Sequence, residues 1–147
     1  MSEAPDLELI KACLDRMKAD ATLTTLLGPG DRIFDRVPQT KDGKPKVPSP
    51  YISVGPTTSI PDDYDCQDGE EITVQFDAWS WGHGEAYGSA EVRKIAAAMK
   101  RSLHGAEITL AENALVTLQH ELTRILRDPD GFTNHAAVQF TALVEIH

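Results

Sequence analysis

The stretch "LVTLQHELTRILRDPDGFTNHAAVQFTALVEI", residues 115–146, predicts a β-hairpin and, with it, the class of the fold. In its second half apolar side chains alternate with polar ones, as they do in a half-buried strand. The connection over residues 127–134 contains Asp-Pro and Asp-Gly, two pairs that favour turns. Strands joined by such a turn pair in antiparallel fashion, so the sheet to which they belong is predicted to be antiparallel.

The segment over residues 72–79 alternates in the same way and is predicted to be a half-buried strand. Apolar residues recur every three or four positions over residues 6–20 and 85–104, and this spacing predicts two amphipathic helices. Shorter strands are predicted at 31–37, 51–55 and 107–110. The expected fold class is α+β, an antiparallel sheet with two α-helices packed on one face, in a single domain over residues 1–147.

Two segments of opposite charge are predicted to be long loops, residues 35–50 and 56–71. The first contains "PQTKDGKPKVPSP", which is too rich in proline to donate a ladder of hydrogen bonds. The second contains "PDDYDCQDGEE", which departs from the calcium-loop pattern because Asp68 stands where that pattern needs glycine. The charged residues that we single out as candidate contact residues are Lys41, Lys44 and Lys46 in the first loop, and Asp62, Asp63, Asp65 and Asp68 in the second.

The formal net charge of −9 argues against a protein that wraps DNA or RNA, because a negative surface repels phosphates. An acidic wall would instead let DNA pass without sticking. The N-terminal residues have early acids and no long apolar run, so we expect neither a signal peptide nor a membrane span. The two cysteines fit synthesis in a reducing cytoplasm, and we expect no membrane association.

No motif in the sequence predicts a catalytic, cofactor or metal site. The two cysteines, Cys13 and Cys66, form no zinc-ligand spacing, and the five histidines form none either. The serine elbow GxSxG and the phosphate-binding glycine loops are absent. One alternative stays open, a small metal-dependent hydrolase that would use Asp77, His83 and Glu85.

Two tryptophans, Trp79 and Trp81, fall on the same side of the predicted strand as Asp77. Because tryptophan is enriched at the centres of protein interfaces, this pair is a candidate contact patch. A helix or loop of the same chain that covers the two rings is the alternative.

The order of these features resembles the tail-completion, or tail terminator, proteins of long-tailed phages and of phage-derived gene transfer agents. The resemblance covers nearly the whole chain and departs from the family at the two charged loops, at 41–48 and 61–71. The segments that carry it are "MKADATLTTLLGPGDRIF" at 17–34, "VPSPYISVG" at 47–55, "VQFDAWSW" at 74–81, "AEVRKIAAAMKRSLHG" at 90–105 and the final two strands from Val116 to His147.

The resemblance implies a structural protein of the virion with no catalysis and no cofactor. It implies a homo-oligomeric ring, hexameric in this family, that caps the tail tube, ends its polymerisation and joins it to the neck or stopper protein under the head. The implied partners are therefore copies of the chain, the tail tube protein and the stopper, with DNA passing through the lumen. The implied location is the neck-proximal end of the tail of a phage or phage-like particle, with the chain made in the bacterial cytoplasm.

A ring of this kind suggests two hypotheses about contacts between subunits. Exposed strand edges of neighbouring subunits can join by main-chain pairing. The lysines of the first loop can also meet the aspartates of the second loop across a subunit boundary, at ~0–1 kcal/mol for each exposed pair. A different head–tail connector and a tail tube subunit stay open as alternatives.

Overall fold

The computed structural model describes residues 3–63 and 67–147 and confirms the predicted α+β class. A five-stranded sheet carries the helices on one face, and its opposite face, which we call the open face, is covered by no helix. The elements are α1 (Pro5–Lys18), α2 (Ala21–Leu27), β1 (Ile33–Phe34), β2 (Tyr51–Pro61), β3 (Gly69–Ser80), a 3₁₀ turn (Gly84–Ala86), α3 (Ala90–Leu103), β4 (Ala114–Arg127) and β5 (Asn134–Glu145). No described helix is long and apolar enough to cross a membrane.

The strands lie in the order β1-β2-β3-β5-β4. All neighbouring pairs are antiparallel except β1 and β2, whose two-residue parallel pairing makes the sheet mixed. The predicted hairpin is present as β4 and β5. β4 forms one edge of the sheet, and β1 covers the other edge only beside Ile52 and Ser53. The rest of β2 is therefore also an edge.

Burial confirms the predicted alternation of β3. Ile72, Val74, Phe76 and Ala78 have no solvent exposure, and they point at the helices. β5 contributes its own row to the same core, and α1, α2 and α3 bury their apolar stripes against it. Glycine at 105 has φ 70° directly after the end of α3, as the sequence predicts for a helix C-terminus.

Three α-helices form where the sequence predicts two. The predicted helix over 6–20 ends at Lys18, and Asp20 then caps a second helix by accepting a hydrogen bond from the backbone N–H of Leu23 at 3.1 Å. The short α2 contains three threonines, which weaken the helical signal, and it is held by the burial of Leu23 and Leu27. Packing therefore stabilises a helix that propensity does not predict.

The predicted loop over 56–71 is wrong for most of its length, because β2 extends to Pro61 and β3 begins at Gly69. Pro56 suggested a loop, but it lies on a sheet edge at a bulge between Val54 and Thr57, where no ladder hydrogen bond is lost. The predicted strand at 107–110 is not formed, and the predicted helix at 85–104 begins only at Ala90. The predicted loop at 35–50 contains no helix or strand.

Candidate assembly surface

The residues of the alternative hydrolase site do not form a site. Asp77 is buried on the open face, whereas His83 and Glu85 lie exposed in the connection to α3, where Lys94 Nζ is 2.7 Å from a carboxylate oxygen of Glu85. Over residues 3–63 and 67–147, no three histidine, cysteine or acidic side chains converge on a point that would hold a metal ion. Burial raises the pKa of the Cys13 thiol to about 12, so this cysteine is an unreactive core residue.

A chain of polar side chains crosses the open face from β5 to β3. Gln139 donates to Gln75 at 3.0 Å, and Gln75 donates to Oδ1 of Asp77 at 2.8 Å. Nε2 of His135 lies 2.7 Å from the same carboxylate oxygen, which accepts, so this ring nitrogen carries a proton. Asp77 is 6% exposed and His135 is half-buried. We call these four residues the polar chain; it fixes the register of the two central strands.

Trp79 belongs to the same face and extends the polar chain onto β2. Its indole ring stacks on His135, with ring centroids 4.0 Å apart and an angle of 11° between the planes. Its Nε1 donates to the hydroxyl of Ser53 at 3.1 Å. Trp81 packs edge-on against Tyr51, at 6.0 Å between centroids. Both tryptophans are half-buried, and neither lies beneath a helix.

Beside these rings lies an open groove of about 640 Å³. We call it the aromatic groove; its aromatic residues are Tyr51, Trp79, Trp81 and Phe132, the last of which is 57% exposed. One wall contains Lys44 and Pro45, from the segment that precedes β2. The other wall is the β4–β5 turn, residues 128–133, which contributes Asp128 and Asp130.

The β4–β5 turn is ordered by its own hydrogen bonds. Asp130 accepts from the backbone N–H groups of Phe132 and Thr133, both at 2.9 Å, and from the Thr133 hydroxyl at 2.6 Å. These bonds lower the pKa of the Asp130 carboxyl. Partial burial raises the pKa of Asp128, whose carboxylate lies 4.0 Å from Nδ1 of His135. The turn therefore presents two carboxylates in fixed positions.

The lysine-rich segment also has a defined shape. Residues 38–46, which we call the finger, form a small hairpin in which Thr40 N–H donates to Lys44 at 2.7 Å and Lys46 N–H donates to Pro38 at 2.8 Å. The segment that leads from the finger into β2 is held by Arg32, whose guanidinium donates to the carbonyls of Leu27 and Pro50. The candidate residues Lys41, Lys44 and Lys46 are all exposed.

The candidate aspartates lie at the other end of the sheet. Asp62, Asp63 and Asp68 belong to the connection between β2 and β3, residues 62–68, which we call the acidic loop; Asp65 and Cys66 lie outside the described residues. The finger precedes the first residue of β2 and the acidic loop follows its last. The eleven residues of β2 separate them by about 33 Å. Lysines and aspartates therefore do not meet within one subunit.

Each sheet edge exposes main-chain groups over part of its length, and both edges expose apolar side chains. β1 covers β2 beside Ile52 and Ser53. On β4, the Leu118 carbonyl accepts from the Gly105 N–H at 2.7 Å, and the His120 N–H donates to Nδ1 of His104 at 2.9 Å. Val116, Leu122 and Leu126 of β4 are 37–48% exposed, and Ile60 of β2 is 58% exposed. Sequence reasoning missed the β2 edge, since proline there predicted a loop. It also identified the turn at 128–133 only as a turn, although an apolar phenylalanine, Phe132, follows its two aspartates, which is a signal for a surface contact.

Comparison with known proteins gives a family and a structural relative. The family model described as "Tail completion protein gp17" matches residues 11–145. A solved structure, "Virion of native gene transfer agent (GTA) particle", contains a chain that is 25% identical, with a TM-score of 0.82; the match covers 98% of this chain and 99% of that one. No curated protein matches.

Proposed function

Because this chain belongs to the tail completion protein gp17 family, we propose that its copies form a ring that caps the tail tube of a phage-like particle. The ring, expected to be a hexamer, ends tube polymerisation and joins the tube to the neck or stopper protein under the head. The chain acts by assembly, without catalysis or a cofactor. Its partners are its own copies, the tube protein and the stopper, at the neck-proximal end of the tail.

The observation that carries the proposal is the family match over nearly the whole chain, together with a likeness to a chain of a gene transfer agent virion. The sheet supports it, because each of its two edges is open over part of its length and the edges differ. When unlike edges of identical subunits pair, an open arc of subunits keeps one free edge at each of its two ends until the ring closes. In a structural protein of a tail, unpaired strand edges can bind neighbouring subunits. In a protein that stays monomeric, the same edges would promote aggregation.

The topology specifies how the two edges would pair. β2 and β4 run in opposite directions in the sheet, since three antiparallel pairings separate them. Rotation about a ring axis that runs roughly along the strands preserves these directions. β2 of one subunit therefore meets β4 of the next in antiparallel orientation, which is the commoner and slightly more stable form of pairing.

This arrangement excludes contact between the lysines of the finger and the acidic loop of a neighbour in the same ring. If the strands run roughly along the ring axis, the finger and the acidic loop lie on opposite rims and cannot meet around the ring. Their contact requires subunits arranged end to end instead. We propose the edge-paired ring, in which the two rims differ in charge and face different partners. With a net charge of −9, the lumen would not retain passing DNA.

Adding the purified chain to tail tubes during their growth tests this function. The proposal predicts that growth stops, and that electron micrographs show a ring at one end of each tube. Tubes that grow to the same length with and without the chain, and carry no ring, would contradict it. Filaments formed by the chain alone would instead favour a tube subunit, because a tube subunit must also pair along the axis.

A further inference from the structure

We propose that the finger of one subunit docks on the β4–β5 turn of the neighbouring subunit, so that Lys41 and Lys44 face Asp128 and Asp130 across the subunit boundary. This contact rests on the edge-paired ring proposed above. It assigns the finger's lysines a partner other than the acidic loop. The occupant of the turn's outer surface is thus a second copy of this chain.

The first argument is position. The finger leads into the first residue of β2, and the β4–β5 turn follows the last residue of β4, so both lie at the same end of the sheet. Within one subunit they are the two walls of the aromatic groove, but they belong to opposite sides of the sheet, because the strand order places β2 near one edge and β4 at the other. Pairing the two sides of the sheet in neighbouring subunits therefore places the finger at the same height along the ring axis as the neighbour's turn, with β1 outermost beside Ile52 and Ser53.

The second argument is charge. Lys41 and Lys44 are exposed, and no carboxylate of residues 3–63 or 67–147 lies within ion-pair distance of either amino group. On the turn, Nδ1 of His135 lies 4.0 Å from the Asp128 carboxylate. Within one subunit Lys44 lines the same groove as the two aspartates without an ion pair among the described residues, so both signs of charge stay available to a neighbouring subunit. Partial burial already disfavours the charged form of Asp128, and a neighbour's ammonium group would relieve this.

The third argument is order. The finger is held by its internal hydrogen bonds, and the turn is held by the bonds to Asp130. Neither element must fold on contact, so little conformational entropy is lost. Each exposed pair is expected to strengthen the association by about fivefold at most. The contact therefore sets the register of the two edges, while main-chain pairing supplies most of the affinity.

Crosslinking between two different chains tests the geometry. One chain carries Lys41→Cys and the other Phe132→Cys, both with Cys66→Ser; Cys13 is buried and stays. The two chains are mixed under dissociating conditions, returned to assembly conditions and treated with a short bismaleimide. Because each chain has a single accessible cysteine, a finger-to-turn link joins two subunits, and the mixed dimer is identified by mass. The matched control replaces the second chain with Asp63→Cys in the acidic loop.

The proposal predicts mixed dimers from Lys41→Cys with Phe132→Cys, and few from Lys41→Cys with Asp63→Cys. The reverse pattern would overturn it in favour of the end-to-end arrangement. Assembly of the unsubstituted chain is measured in parallel by native mass spectrometry. Rings without either crosslink would overturn this contact and leave the ring intact, whereas the absence of any ring would overturn both.

Discussion

Oδ1 of Asp77 lies 2.7 Å from Nε2 of His135, on a sheet face that no helix covers. The two residues are 58 positions apart and lie on adjacent strands. The same oxygen accepts a hydrogen bond from Gln75, and the stacked ring of Trp79 shields His135 from one side. A buried carboxylate with two donors ties the strands together only while all of its partners are present.

Replacing Asp77 with alanine should therefore destabilise the fold by about 1–3 kcal/mol, because donors on Gln75 and His135 lose their acceptor. Asp77→Asn keeps one acceptor oxygen and should cost less. Urea unfolding followed by circular dichroism measures both variants. The control is Asp42→Asn at the exposed tip of the finger, which should stay within about 0.5 kcal/mol of the parent. An Asp77→Ala variant as stable as this control would show that the polar chain contributes nothing.

Gly55 provides the space that Asp77 occupies. A Cβ at residue 55 would lie 2.6 Å from Oδ2 of Asp77 and 3.0 Å from Nε2 of Gln75. Gly55→Ala should therefore cost about 1–3 kcal/mol, through displacement of hydrogen-bonded side chains. Gly88→Ala is the matched control, since a Cβ there meets nothing within 4 Å. Equal melting temperatures for the two variants would contradict the predicted clash.

Asp128→Asn should have opposite effects on the subunit and on the ring. Partial burial and the charge of Asp130 raise the pKa of Asp128, so the ionised form costs stability in the folded subunit. The asparagine variant should be the more stable subunit at pH 7. That advantage should shrink as the pH falls through the raised pKa and vanish near 3.8, where the unfolded group is also protonated. Thermal unfolding of dilute, dissociated protein across this range measures the effect.

The same variant should assemble less well, because the carboxylate that faces the neighbour's finger is lost. Sedimentation at neutral pH compares the assembly midpoints of the variant and the parent. A variant that is both more stable and better assembled would show that Asp128 faces no cation of a neighbouring subunit.

Reversing the charge of the finger should weaken assembly. The triple variant replaces Lys41, Lys44 and Lys46 with glutamate, which places like charges against Asp128 and Asp130. Its assembly should be weaker than that of the parent, and the difference should diminish in high salt because salt screens the repulsion. Adding Asp128→Lys to this chain, which leaves the turn-ordering Asp130 in place, should restore part of the assembly at low salt, whereas adding Asp63→Lys should not. Rescue by Asp63→Lys alone would favour the acidic loop as the partner.

Much of the fold was predictable because periodicity reports burial directly. β3, β5 and α3 bury whole rows of side chains, so their apolar spacing identifies them. α2 and the second half of β2 were not predictable, since threonines and Pro56 are acceptable there only because of packing and an edge position. Propensity carries no information about which strand will be an edge.

Some residues of the candidate surface could likewise be identified from the sequence, and others could not. Trp79 and Trp81 were identified because side-chain parity places both on one side of a strand. Their neighbour His135 was not, because its contact with Trp79 depends on the register of β3 and β5, which a single sequence does not specify. Asp128 and Asp130 appeared only as turn formers, although the fold places them opposite Lys44 of the finger across the aromatic groove.

The central claim is that this chain acts by pairing its own sheet edges. Native mass spectrometry of the parent and of the variants Thr123→Pro and Arg124→Pro tests this claim most directly. Consecutive residues of β4 direct their N–H groups alternately at β5 and outward, so one of the two prolines leaves the subunit folded and blocks only the outer edge. The account predicts a closed ring of uniform stoichiometry, six subunits, for the parent, and folded monomers for that one variant. A parent that stays monomeric at high concentration and beside tail tubes, or rings that persist in both proline variants, would contradict it.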